Sequence, residues 1–156
     1  MSLAFNLTRY ALLTLVAVSL GAWSVRMWTS AHDRTSGDVL PADGLVVVNF
    51  HGAVRCNGCR EIGKEAQAVV ETDFGGDLKS GRMNWRVINF EAPANKHFIQ
   101  DYGLTTSTLV LVRREHSRDV EWQRLDAVWD HLFDGPAMRS FLKQHITQLS
   151  SKTVAP

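Results

Sequence analysis

The sequence predicts an α/β domain: a four-stranded mixed sheet flanked by helices, in the order β-α-β-α-β-β-α. Three observations predict it. Short apolar, β-branched runs alternate with segments whose apolar residues recur every three or four positions. The connections between them are short. The chain's two cysteines, Cys56 and Cys59, stand three positions apart where the first apolar run gives way to the first helical stripe, in "HGAVRCNGCREIG".

Taken in order, "LVVVNF" at 45–50 is a continuous apolar run, the mark of a buried strand. Residues 56–73 read as a helix, because Cys59, Ile62, Ala66, Val69, Val70 and Asp73 fall on one stripe. Gly75-Gly76 is its expected stop. "WRVINF" at 85–90 is the second strand, and Pro93 opens a short helix that runs to Tyr102 and stops at Gly103. "STLVLVR" at 107–113 is a third strand with both faces covered. "EHSR" turns the chain, and "DVEWQ" at 119–123 pairs back as a charged edge strand. Asp134 caps the last helix, with Pro136 in its first turn and a stripe of Met138, Phe141, Leu142, His145, Ile146 and Leu149. The first crossover is expected to be right-handed and to make a parallel strand pair.

The N-terminus is of another kind. Tyr10 to Val25, "YALLTLVAVSLGAWSV", is sixteen residues without a formal charge. As a helix it spans roughly 24 Å, at about 1.5 Å per residue, against a hydrocarbon core of about 30 Å. Arg26, Met27 and Trp28 nearly close that gap, since Arg26 can bury its stem and keep its charge at the headgroups. Tyr10, Trp23 and Trp28 then sit near the interfaces. The expected organisation is a single-pass transmembrane anchor or uncleaved signal at 1–28, a polar linker at 29–44, the folded domain at 45–150 and a tail at 151–156. A cleaved signal peptide and a buried core helix are the competing readings of the apolar segment. Flanking positive charge is nearly balanced, and the very short leading tail favours an extracytoplasmic domain.

Charge narrows the partners. Removing Arg9 and Arg26 from 17 Lys+Arg leaves 15 beyond residue 30, against 16 Asp+Glu. A near-neutral domain has no electrostatic reason to seek nucleic acid. Lipid, through residues 10–28, is the expected non-protein partner.

The chemistry points to the cysteines. A thiolate at the first turn of a helix faces unpaired N–H groups and the positive end of the dipole. C-x-x-C thiols so placed have lowered pKa values. Arg55 and Arg60 add positive charge, and Asn57-Gly58 eases the turn. Cys59 falls on the apolar stripe and is expected to be shielded. One exposed, activated thiol beside a covered one describes an attacking and a resolving cysteine. Two blander readings stand beside this one: a structural thiol pair, and half of a metal site made by Cys56, Cys59 and His51. His51 is either a base near the motif or a loop hydrogen-bonder. Trp85, Trp122 and Trp129 read as core or half-buried sheet residues before groove residues. His145 reads as a satisfied core histidine. Glu61, Lys64 and Glu65 read as a solvated helix face, and Asp126, Asp130 and Asp134 as solvated charges and a cap.

From Leu45 to Leu149 the chain resembles the thioredoxin superfamily. The resemblance is carried by "VVVNF" leading into "RCNGC", by "VINFEAPANKHFIQDYG" and by "TTSTLVLV". More narrowly, "FHGAVRCNGC" with "LKSGRMNWRVINFE" is similar to small membrane-anchored thioredoxin-like proteins described as a subunit of nitrophenyl-compound nitroreductase. The resemblance implies Cys56 as nucleophile, Cys59 as resolver, and no cofactor beyond a redox-active disulfide. It implies protein thiols or disulfides, or a membrane redox partner, as the reaction partner. Two positions depart from the superfamily pattern: Ser107 stands where thioredoxins place a cis-proline before the third strand, and Asn49 where they often carry a buried Asp. Those departures leave open a non-catalytic subunit of a membrane redox complex and a metal carrier using Cys56, Cys59 and His51.

Overall fold

In the computed structural model, which describes residues 37–151, β1 (Gly44–His51) is the central strand. It pairs in parallel with β2 (Met83–Asn89), with Val47 opposite Trp85 and Asn49 opposite Val87. On its other side it pairs antiparallel with β3 (Thr108–Glu115), with Val47 opposite Leu111. The edge strand β4 (Arg118–Arg124) pairs antiparallel with β3, giving the sheet order β2-β1-β3-β4. Parallel β1–β2 pairing demands a crossover, which α1 (Asn57–Asp73) supplies. The β3–β4 hairpin turns through His116 and Ser117, both at positive φ. That left-handed backbone is held from outside: His116 N–H donates to Asp43 Oδ1 at 2.7 Å and Ser117 N–H to the Ala42 carbonyl at 2.8 Å.

Period-two alternation along β1 feeds two cores. Leu45 and Val47 point to one face, with Leu109 and Leu111, and meet Ile62, Ala66, Val69 and Val70 of α1. The last helix, α4 (Gly135–Ser151), adds Met138, Leu142, Ile146 and Leu149 to that layer. Val46, Val48 and Phe50 point the other way, against Ile88, Phe98 and Tyr102. Each such buried aliphatic or aromatic side chain stabilises the fold by about 1.5–3 kcal/mol relative to exposure. Asp73, the polar member of the α1 stripe, accepts from Arg139 Nη2 of α4 at 2.9 Å, so the stripe ends in an ion pair between the two long helices. Asp134 caps α4 by accepting from Ala137 N–H at 2.9 Å.

The expected elements are present, with four differences. α1 ends at Asp73 as expected, but after a bend at Phe74 the glycines open a second short helix, α2 (Gly75–Lys79), whose Leu78 packs on the core. The helix expected from Pro93 to Tyr102 is broken into a 3₁₀ turn, Pro93–Asn95, and α3 (His97–Asp101), with Gly103 at φ 61 beyond it. Between Leu125 and Asp134 a 3₁₀ helix (Asp126–His131) replaces the expected loop. The linker expected at 29–44 is, in its described part, docked on the domain: Leu40 is buried in the second core, and Asn95 bonds Asp38 twice, at 2.8 and 2.7 Å. Arg114 Nη1 donates to the Leu40 and Pro41 carbonyls. The anchor at 1–28, the rest of the linker and all of the expected tail except Ser151 lie outside the described residues. Among the described residues no helix is long and apolar enough to cross a membrane. Strand order, the crossover helix and the C-x-x-C at its start make this a thioredoxin-like fold.

Candidate functional site: a disulfide at a helix start

The loop from Gly52 to Arg55 leaves the carboxyl end of β1 and is fixed by Glu91, whose Oε2 accepts from Ala53 N–H at 2.8 Å. It delivers Cys56 as the N-cap of α1 in extended backbone geometry, φ −66 and ψ 165. The Cys56 carbonyl accepts the first helical bond from Arg60 N–H at 3.1 Å. Its sulfur does the work that a capping oxygen usually does: Sγ accepts from Cys59 N–H at 3.0 Å. Cys56 is exposed and Cys59 is buried on the core face of α1. The two form a disulfide with a Cα–Cα separation of 5.1 Å. On reduction, the donor that now faces the disulfide sulfur would face a Cys56 thiolate, reinforced by the helix dipole, and no acidic residue stands in the first turn of α1 to oppose it.

The remaining sequence-predicted residues divide by place. His51 ends β1, and its Nδ1–H donates to the Gly52 carbonyl at 2.7 Å, so the ring is held by its own loop. No hydrogen bond joins it to either sulfur. Ser107 immediately precedes β3, and its carbonyl accepts from the Trp129 indole N–H at 2.9 Å. Asn49 is 3% exposed and points to the α1 face, where a methyl group on Gly63 would overlap its Nδ2. Arg55 accepts at its carbonyl from Arg60 Nη2 at 3.0 Å, while its own Nε is buried without a partner. Among the described residues no group of three His, Cys, Asp or Glu side chains is arranged to hold a metal ion. In the disulfide state neither sulfur is a thiolate ligand.

Trp129 is half-buried against the core, as expected, and also takes the groove position named as its alternative. It lies between the cysteine helix and Ser107, the residue before β3: its ring and Leu132 would meet a methyl on Gly58 at 3.1 and 3.0 Å. The 3₁₀ helix carrying Trp129 gave no apolar period to read. A cleft of about 520 Å³ runs from here, lined by Asn57, Gly58, Glu61, Glu65, Leu132 and Phe133. Phe133 is 98% exposed and forms an apolar wall beside the disulfide helix. Trp122 lies instead on β4, edge-on to Tyr102. His145 accepts from Gln123 Nε2 at 3.1 Å and packs on Phe141, as a satisfied half-buried histidine does. Glu61 and Lys64 form an exposed pair at 3.2 Å.

No protein-family model and no curated protein matches the chain. Among solved structures it is similar to one described as that of a malarial protein, at 13% identity and a TM-score of 0.41, covering 66% of this chain and 98% of that one. It is also similar to the thioredoxin of Fasciola hepatica, at 14% identity and a TM-score of 0.39, covering 78% and 93%. At these scores the thioredoxin-like assignment stands on the topology and on the disulfide at the helix start.

Proposed function

We propose that the protein is a thiol–disulfide oxidoreductase in which Cys56 is the nucleophile and Cys59 the resolving thiol. One observation carries the reading: an exposed sulfur caps a helix N-terminus and receives the N–H of the very residue whose buried sulfur is its disulfide partner. In the reduced protein the Cys56 thiolate attacks one sulfur of a partner disulfide. A Cys56–partner bond forms, the partner S–S bond breaks, and the leaving thiolate takes a proton. The Cys59 thiolate then attacks Cys56 Sγ, re-forming the internal disulfide and releasing the second partner thiol. Two electrons and two protons pass to the partner, and the reverse sequence oxidises a partner dithiol. Direction follows from the difference in potentials. The exposed Phe133 and the cleft beside it favour a protein partner over a bare small disulfide.

The test is disulfide exchange against a model protein disulfide. Cys56→Ser is expected to fall to the uncatalysed rate, and Cys59→Ser to accumulate a mixed disulfide through Cys56. Unchanged exchange by Cys56→Ser overturns the assignment.

A second reading, a non-catalytic subunit that docks on a membrane redox partner, is favoured by Asn49 and Ser107, since an amide cannot serve as a base for the resolving thiol. The narrower likeness to nitrophenyl-compound nitroreductase subunits belongs with it. Partner capture that survives replacement of both cysteines supports this second reading. For either, we propose a tether through residues 10–28 and an extracytoplasmic domain, supported by the uncharged run from Tyr10 to Val25. Alkaline extraction of the full chain from membranes would contradict the tether.

A further inference from the structure

We propose that a second site, a pocket for a small oxyanion, lies beside the disulfide helix on the α1 face of the β1–β2 pair. A cavity of about 220 Å³ there is lined by Asn49, Arg55, Arg60, Gly63, Lys64 and Trp85, among others, and no carboxylate lines it. One of its polar groups lacks something to bond. The Arg55 Nε is buried with no partner. The Asn49 side chain, on a residue 3% exposed, lines the same cavity. Both converge on Gly63: a methyl there would overlap Asn49 Nδ2 and lie 3.7 Å from Arg55 Nη2. The missing side chain at 63 is what lets a guanidinium and an amide share one spot.

A buried donor without an acceptor, as Arg55 Nε is, is rare in folded proteins and calls for an occupant. The occupant must accept. A guanidinium fork with a neighbouring amide suits a group carrying two or more oxygens, and Arg60 and Lys64 at the rim add positive charge. Lys64 also pairs with Glu61, outside the lining, at an exposed position where such a pair is weak. The volume equals about seven waters at about 30 Å³ each. It admits a tetrahedral oxyanion or a carboxylate end-group. This site stands independently of the redox reading, because neither sulfur lines it.

The experiment is a titration of the full chain in detergent with sodium phosphate, and separately with sodium acetate, followed by backbone amide shifts. Sodium chloride at matched ionic strength is the reference. Saturable shifts centred on Asn49, Arg55 and Gly63 are expected with an oxyanion and not with chloride, and the two arms tell a phosphate-type ligand from a carboxylate. The double variant Arg60→Gln/Lys64→Gln, at exposed positions, is expected to weaken binding at least tenfold. Lys79→Gln, on α2, is expected to leave it unchanged. Arg55→Leu is expected to abolish the response, and the double variant keeps the test decisive should that protein fold poorly. Equal shifts with chloride, or equal weakening by Lys79→Gln, would mean charge screening over a water-filled cavity and would overturn the proposal.

Discussion

Arg114 and Arg55 stand at opposite ends of β1, and the fold treats them differently. Arg114 lies across from Gly44, where β1 begins. It gives Nε to Asp119 at 2.7 Å, Nη1 to the Leu40 and Pro41 carbonyls, and Nη2 to the Ser117 carbonyl at 2.7 Å. Asp119 in turn accepts from the Tyr102 hydroxyl at 2.7 Å. Arg55 follows the other end of the strand and keeps a buried Nε unbonded. Thr108, opposite Phe50 at that same end, likewise has a buried, unpartnered Oγ1. Satisfied networks fix one arrangement, whereas unsatisfied groups are tolerated chiefly where a ligand or a reaction uses them. Arg113, opposite Leu45 at the Arg114 end, also keeps a buried, unpartnered Nε, so the contrast lies between the closed Arg114 network and the open Arg55 side chain, not between whole ends of the sheet.

Breaking the closed Arg114 network should cost most. Arg114→Met strands Asp119 and three carbonyls, and is expected to lower unfolding free energy by about 2–4 kcal/mol in urea titrations. A loss under about 1 kcal/mol would erase the contrast. Gly63→Ala is expected to cost about 1–3 kcal/mol by forcing its methyl into the Asn49 amide. Asn49→Ala in the same chain should recover most of that loss, a coupling that a double-mutant cycle reads directly. Tyr102→Phe removes one hydrogen bond to a charged acceptor and should cost about 1.5 kcal/mol.

Tyr102 also gives the comparison a pH dependence. Burial first, and then the hydrogen bond to Asp119, push its hydroxyl well above the ordinary value of 10.0. Above about pH 10 the unfolded chain releases this proton and the folded one keeps it. Stability is therefore full below that pH and falls as pH rises further, by up to about 1.4 kcal/mol per pH unit. Tyr102→Phe should flatten that alkaline fall, as measured by urea titrations between pH 9 and 11. The smallest effect is expected at Arg55: Arg55→Leu gives up no hydrogen bond from Nε and should change stability by less than about 1 kcal/mol in either direction.

What could be read in the sequence followed from local periodicity. The β-branched runs, the α1 and α4 stripes, the Asp134 cap and the cysteine pair at the helix start each depend on residues within a few positions of one another. The misread parts depend on distant ones. The segment from Asp38 to Asp43 is docked by Asn95 and Arg114, more than fifty residues away, acting largely on backbone carbonyls that have no sequence signature. Trp129 joins the site because its indole finds the Ser107 carbonyl, again across the fold. Gly75-Gly76 marks a change of direction at Phe74, and the chain resumes its helix because Leu78 still has core to cover. Asn49 was legible as a departure from the superfamily pattern, but its dependence on Gly63 was not.

The Arg114 clamp has a mechanical consequence. The chain reaches β1 at Gly44, and the disulfide lies past the strand's far end, about 26 Å on for eight residues. Tension on the chain ahead of Asp38 would be borne first by the two Asp38–Asn95 bonds and then by the guanidinium grip on Leu40 and Pro41. The cysteine helix lies beyond that grip and would carry none of the load until it gave way.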